Sequence, residues 1–217
     1  VCRFVSGLPQ QQRDFVFGRV WEIAGAAGVP RAAANCHPNL YIWIIRNPQA
    51  LLQGWETETF RATFGGDALP AVVDEFITTP RAVRAWYTSG VENRWGQPCD
   101  FSGLRTPCGA DASRLVFSTR HVFNQVYVIV DPARLGRVSP EQFADYVALV
   151  GLAKFKPNAG RGDAPTILKL FDGTPQASPP GMTDWDRAFL KSLYSTDQTS
   201  KLQRGQIARE MVREIAP

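Results

Sequence analysis

Along residues 139–154, SPEQFADYVALVGLAK, the apolar side chains Phe143, Tyr146, Val147 and Val150 fall at the spacing of one helix face. The opposite positions are small: Ala144, Ala148 and Gly151. Small residues on successive turns let another backbone approach closely, so the pattern predicts a buried central helix. Its start is marked in the sequence. Ser139 is an N-cap, Pro140 suits the first helical position, and Gln142 completes a capping box.

The same reading along the rest of the chain predicts a mixture of helices and strands. Residues 2–6 form a short strand, followed by a helix over 12–27 with Phe15, Val16, Val20, Ile23 and Ala24 on one face, ended by Gly28 and Pro30. Residues 40–45 are a buried strand in which Trp43 is core. Pro48 opens a helix to about Phe64, with Glu56 and Glu58 on its polar back; Gly65 and Gly66 break it, and 69–77 is a short third helix. Strands are expected at 83–88, 113–118 and 123–130, the last nearly all apolar and therefore central. A Gly/Pro/Asn-rich loop fills 92–112, and 119–122 is a turn carrying His121. After the central helix come a polar loop at 156–165, a short apolar segment at 166–171 and a Pro/Gly/Ser stretch at 173–181. Thr183 then caps a helix with an acidic first turn, and a last amphipathic helix covers about 201–215. No repeat or long linker divides the chain. The expectation is one α+β domain over 1–217: an N-terminal sheet with helices (1–138), then the central helix and a C-terminal helical part (139–217).

Composition adds limits. Six Trp and thirteen Phe supply a substantial core, and no apolar run is long enough to span a membrane. The net charge of +4 comes from scattered residues, so a nucleic-acid or anionic-membrane surface would need clustering that only the fold could create. Solubilising surface charge is the plainer account, and no nucleic-acid partner is expected. The chain opens with Val, as a mature form or a trimmed sequence would.

Four cysteines allow three pairings. Cys2 and Cys36 each precede a strand; a helix between those strands makes them parallel and brings both starts to one sheet edge. Cys99 and Cys108 flank a short loop that they could close. This geometry favours Cys2–Cys36 with Cys99–Cys108, and hence an oxidising compartment, periplasmic or extracellular. A four-thiolate zinc site would call for CxxC spacing, which the sequence lacks.

The element order and two motifs together resemble the zincin-like fold of metallopeptidases, of the metzincin type. In that family a buried helix bearing HExxHxxGxxH follows the last strands of a sheet. A short segment read as S-I-M and an LTxxDxxxLxxLY-like helix come after it. Here Thr166, Ile167 and Leu168 stand at S-I-M, and residues 182–194, MTDWDRAFLKSLY, match the closing signature. The resemblance covers about the C-terminal half and extends to secreted proteobacterial proteins of unknown function with the same closing motif. It aligns the helix histidines with Ala144 and Ala148, the catalytic glutamate with Asp145, the glycine with Gly151 and the third ligand with Lys154. Methyl groups cannot bind a metal and an ammonium repels one, so the resemblance implies a scaffold without its metal site and no cofactor.

Other chemistry is sparse. His37 and His121 are turn histidines without a shared site, and there is no GxSxG, P-loop or GxGxxG in context. Carboxylates pair at Asp74 with Glu75, Glu141 with Asp145, and Asp184 with Asp186, the last two reading as capping groups. Glu141 and Asp145 share a helix face and, with Tyr146, are the candidates for a metal-independent hydrolase of peptide or polysaccharide. The competing account of Asp145 is a buried, hydrogen-bonded acid. Trp86, Tyr87 and Trp95 could form a stacking surface, against core packing for Trp86 and loop anchoring for Trp95. No complete catalytic set is present. The expectation is therefore a non-catalytic domain that binds a protein partner or itself through a sheet edge or the 92–112 loop, with the hydrolase as alternative.

Overall fold

The computed structural model describes residues 1–30, 32–33, 35–55, 69–99, 108, 114–156, 162–171 and 178–216. Strand β1 (Arg3–Ser6) leads through α1 (Gln10–Ala26) to β2 (Leu40–Ile44), and the two strands are parallel, with Arg3 opposite Leu40. Helices α2 (Pro48–Gln53) and α3 (Pro70–Thr78) precede β3 (Val83–Asn93) and β4 (Thr119–Val130). The central helix α4 (Pro140–Leu152), a 3-10 turn (Ile167–Phe171), α5 (Asp184–Ser195) and α6 (Gln203–Ile215) complete the order. The sheet order is β1-β2-β4-β3; β2 and β4 are parallel and β3 is antiparallel to β4. This is an α+β architecture: a mixed sheet, a buried helix and C-terminal helices.

Side chains alternate across the pleat, so each sheet face feeds its own core. Leu40, Ile42, Val126, Val128 and Val130 face α1, α4 and α5, in a cluster that draws on both halves of the chain. Tyr127, Ile129 and Trp86 face α2 and α3, together with Leu52, Val73 and Ile77. Buried Arg84 joins β3 to the end of α3, donating to the Ile77 carbonyl at 3.4 Å and to Gln49 Oε1 at 3.1 Å. A cation at a helix C-terminus is electrostatically favourable there.

Helix α4 is buried nearly all round, from Phe143 through Leu152, with Tyr146 only partly covered. Ser139 and Gln142 close the capping box reciprocally, at 3.0 and 3.2 Å. A Cβ on Gly151 would lie 3.0 Å from both terminal carbons of Leu40, so the glycine lets α4 approach β2. Both expected disulfides are present, Cys2–Cys36 with a Cα separation of 6.0 Å and Cys99–Cys108 with 5.6 Å.

Several expectations need correction. Helix α2 ends at Gln53, followed by Gly54, rather than running to Phe64; residues 56–68, with Glu56, Glu58, Gly65 and Gly66, lie outside the described residues. Residues 119–122 are not a turn: His121 sits in β4 opposite Val91, and β3 itself continues to Asn93 past an irregularity at Thr88/Ser89. Segment 113–118 is not a sheet strand. Val116 makes one isolated bridge to Ser200, and Ser113 lies outside the described residues. The two errors have different causes. Thr119–Gln125 shows no period-2 burial to mark it as a strand, whereas Leu115, Val116 and Phe117 form an apolar run that reads as a strand although Leu115 and Phe117 stay exposed. Most of 100–113, 157–161 and 172–177 also lies outside the described residues. Phe15 is exposed and Trp43 only half-buried, whereas Trp86 is core.

Candidate functional site

Asp145, at the position matched to the catalytic glutamate, is 2 % exposed. Its carboxylate accepts a two-pronged contact from Arg19 of α1, with Nε at 2.5 Å and Nη2 at 3.1 Å. It also accepts the Met182 backbone N–H at 2.6 Å. This is a charge-assisted fork of the kind that fixes geometry as well as energy. Arg19 also holds Glu22 at 2.8 Å. The hydrogen bond to Asp145 raises the Arg19 guanidinium above its ordinary range. Gly181 is required by the same contact, since a Cβ there would lie 2.8 Å from Asp145 Oδ2.

The other matched positions differ in their surroundings. Ala144 and Ala148 are fully buried in the main core, while Lys154 lies beyond the end of α4 and is exposed. Glu141, in the first turn, is exposed, so the helix presents one exposed and one buried, engaged carboxylate rather than a facing pair. The Tyr146 ring packs edge-on against Phe171, with centroids 4.9 Å apart.

The closing signature has a structural explanation. Asp186, fully buried, accepts the Thr166 hydroxyl at 2.6 Å and the Ile167 N–H at 2.8 Å, pinning the start of the 3-10 turn against α4. With Thr183 it closes a second capping box. Asp184 is exposed and pairs weakly with Arg187 at 3.8 Å. Eight residues past Asp186, Tyr194 donates to the Leu152 carbonyl at 2.7 Å. Tyr87 donates to the Val150 carbonyl, 2.8 Å away, with the Ala153 carbonyl at 3.2 Å. Two phenols thus serve carbonyls that the end of α4 leaves without helical partners. Burial raises both phenols above their ordinary value.

The remaining candidates disperse. Trp86 packs on Phe76 and Tyr87 is tied to α4, which leaves Trp95 alone exposed of the three aromatics. His37 and His121 are both exposed, and His121 lies about 17 Å further along β4 than Val126, whose N–H bonds Asn39 near His37. Asp74 is exposed and Glu75 pairs with Arg81 at 2.8 Å. Among the described residues no three His, Cys, Asp or Glu side chains gather as a metal site. No described helix is long and apolar enough to cross a membrane. A cleft of about 300 Å3 between α1, α5 and α6 shares Glu22 and Met182 with the Asp145 contact. Its rim charges are paired, Lys191 with Glu214 at 2.7 Å and Glu22 with Arg19.

Sequence reasoning missed Arg19 and Gly181, and it named Tyr87 and Tyr194 without their role at the end of α4. An acid in the middle of an apolar helix signals a buried partner, but nothing local says which of 24 Lys and Arg residues it is. No protein-family model, curated protein or solved structure matches the chain.

Proposed function

We propose that this chain is a secreted or periplasmic, non-catalytic domain of zincin-like ancestry that acts by binding a protein partner or by assembling with itself. The observation that carries the reading is the state of Asp145. Both its oxygens are engaged, by Arg19 and by the Met182 amide, where a general base would need one free to take a proton. The neighbouring ligand positions are buried methyl groups at Ala144 and Ala148.

The ancestry is supported by how the matched motifs fit together. The β3–β4 hairpin leads into α4, the segment at the S-I-M position packs against α4, and the Asp and Tyr of the closing signature tie both in place. The two disulfides support an oxidising compartment. Strand β3 supports a binding role: it is a sheet edge, and among the described residues no strand pairs with its outer side over 83–90.

The test is metal loading together with peptide hydrolysis. Protein incubated with zinc and then desalted is expected to retain no stoichiometric metal, and to leave peptide substrates uncut with or without added zinc. Sedimentation velocity is expected to show self-association or a complex with a co-purifying protein. Bound zinc with metal-dependent turnover would overturn the reading. Turnover abolished by Asp145→Asn, in a variant that still folds, would establish the Glu141/Asp145 hydrolase instead.

A further inference from the structure

The fold gathers apolar and cationic side chains at the far end of the β3–β4 hairpin. Strand β2 flanks β4 only over Val126–Val130, whereas β3 and β4 stay paired out to Asn93 opposite Thr119. The hairpin therefore extends about 20 Å beyond the sheet. At its end the chain reverses: the Asn93 N–H bonds the Gln97 carbonyl at 2.8 Å, and the Gly96 N–H bonds the Asn93 carbonyl at 3.0 Å. Trp95, in this turn, is 68 % exposed.

The segment entering β4 is at the same end. Leu115 and Phe117, 63 % and 50 % exposed, lie on backbone paired to the stretch before α6. The Phe117 N–H bonds the Thr199 carbonyl at 2.8 Å, and the Lys201 N–H bonds the Leu115 carbonyl at 3.0 Å. That pairing brings in exposed Leu202, and Lys201 places its ammonium 5.0 Å from the Phe117 ring centre. Arg94 lies 5.8 Å from the Trp95 ring in the same way. Asp197 feels the charge of both Arg94 and Arg120, as expected if the 197–201 turn lies beside the hairpin end.

We infer that this hairpin end, with Trp95, Leu115, Phe117 and Leu202 among Arg94 and Lys201, docks on an anionic lipid surface. Among the described residues here, Arg94, Arg120, Lys201 and Arg204 outnumber two carboxylates, Glu92, paired with Arg120 at 2.9 Å, and Asp197. Exposed Arg204 adds a cation in the first turn of α6, where the helix dipole disfavours one, so its charge does not serve the helix. Large apolar side chains held on hydrogen-bonded backbone, with Arg94 and Lys201 beside their rings, match the headgroup boundary. Trp sits favourably there, and Lys and Arg meet lipid phosphates. A hairpin end that runs past its sheet and carries an exposed Trp at its turn suits a yielding surface better than a rigid partner that would need a matching pocket. The chain's net charge of +4 favours the same encounter. The proposal is independent of how Asp145 is read.

Co-sedimentation of the full chain, disulfides intact, with phosphatidylglycerol/phosphatidylcholine vesicles tests it, against phosphatidylcholine alone. The expected result is binding to the anionic vesicles only, weakened by added salt, with a blue shift of Trp emission. Arg94→Glu with Lys201→Glu is expected to weaken binding at least about tenfold. Trp95→Ser, which leaves the charge unchanged, is expected to weaken it several-fold and to remove most of the blue shift. Thermal unfolding of each variant confirms that it folds. Equal sedimentation with neutral and anionic vesicles, or none with either, overturns the proposal. So does displacement by inorganic polyphosphate combined with a silent Trp95→Ser, which would assign the patch to soluble polyanions.

Discussion

Neutralising Asp145 separates a structural carboxylate from a chemical one. Asp145→Asn keeps the shape but leaves the Arg19 guanidinium facing a neutral amide in a site where the acid is 2 % exposed. The expected loss is about 2–4 kcal/mol, scaled down from a fully buried pair because Arg19 reaches partly into solvent. Urea unfolding of Asp145→Asn, Arg19→Met and the double variant should show losses that do not add. If neither single change moves the midpoint, the pair has no structural role. The phenols give a pH dependence whose sign follows from their environment. Buried Tyr87 and Tyr194 are raised above the ordinary 10.0, so the unfolded chain gives up these protons first. Their contribution is complete below pH 10 and is lost as pH rises through the folded values. Tyr87→Phe and Tyr194→Phe should each cost about 1 kcal/mol at neutral pH. Both should also flatten the alkaline loss seen in thermal melts between pH 9 and 11.

Among the elements, the two disulfides act on very different stretches of chain. Cys2–Cys36 closes a separation of 34 residues and fastens β1 to the approach to β2, whereas Cys99–Cys108 closes 9. Chain entropy then makes the first worth about 4 kcal/mol and the second about 3 kcal/mol. Replacing each pair by alanine and comparing melting temperatures should rank them in that order; the reverse ranking would mean that native contacts, not loop closure, dominate. These elements also show what was legible beforehand. Helix α4 announced itself through a local capping box and an apolar period, and α5 through Thr183 and Asp186. Parallel β1 and β2 could be reasoned from one intervening helix. The distal hairpin could not, because its few apolar residues, Val91, Val122 and Phe123, are at most partly buried and no period-2 burial marks it. The site was half legible: an acid inside an apolar helix pointed to a buried contact, but Arg19 lies 126 residues away and reads locally as a surface cation.

Taken together, the fold puts its charges where the sequence did not show them. Scattered Arg and Lys become a local cluster only because a hairpin end, the segment leading into β4 and the start of α6 meet. The same holds for the core, which takes strands from the first half and helices from the second. The contact at Asp145 carries this furthest, since it needs Arg19, the middle of α4 and the Met182 amide at once. A chain emerging from the ribosome cannot close its interior until residue 182 has left the exit tunnel. The strands made first therefore wait, with their apolar faces uncovered, for helices made well over a hundred residues later.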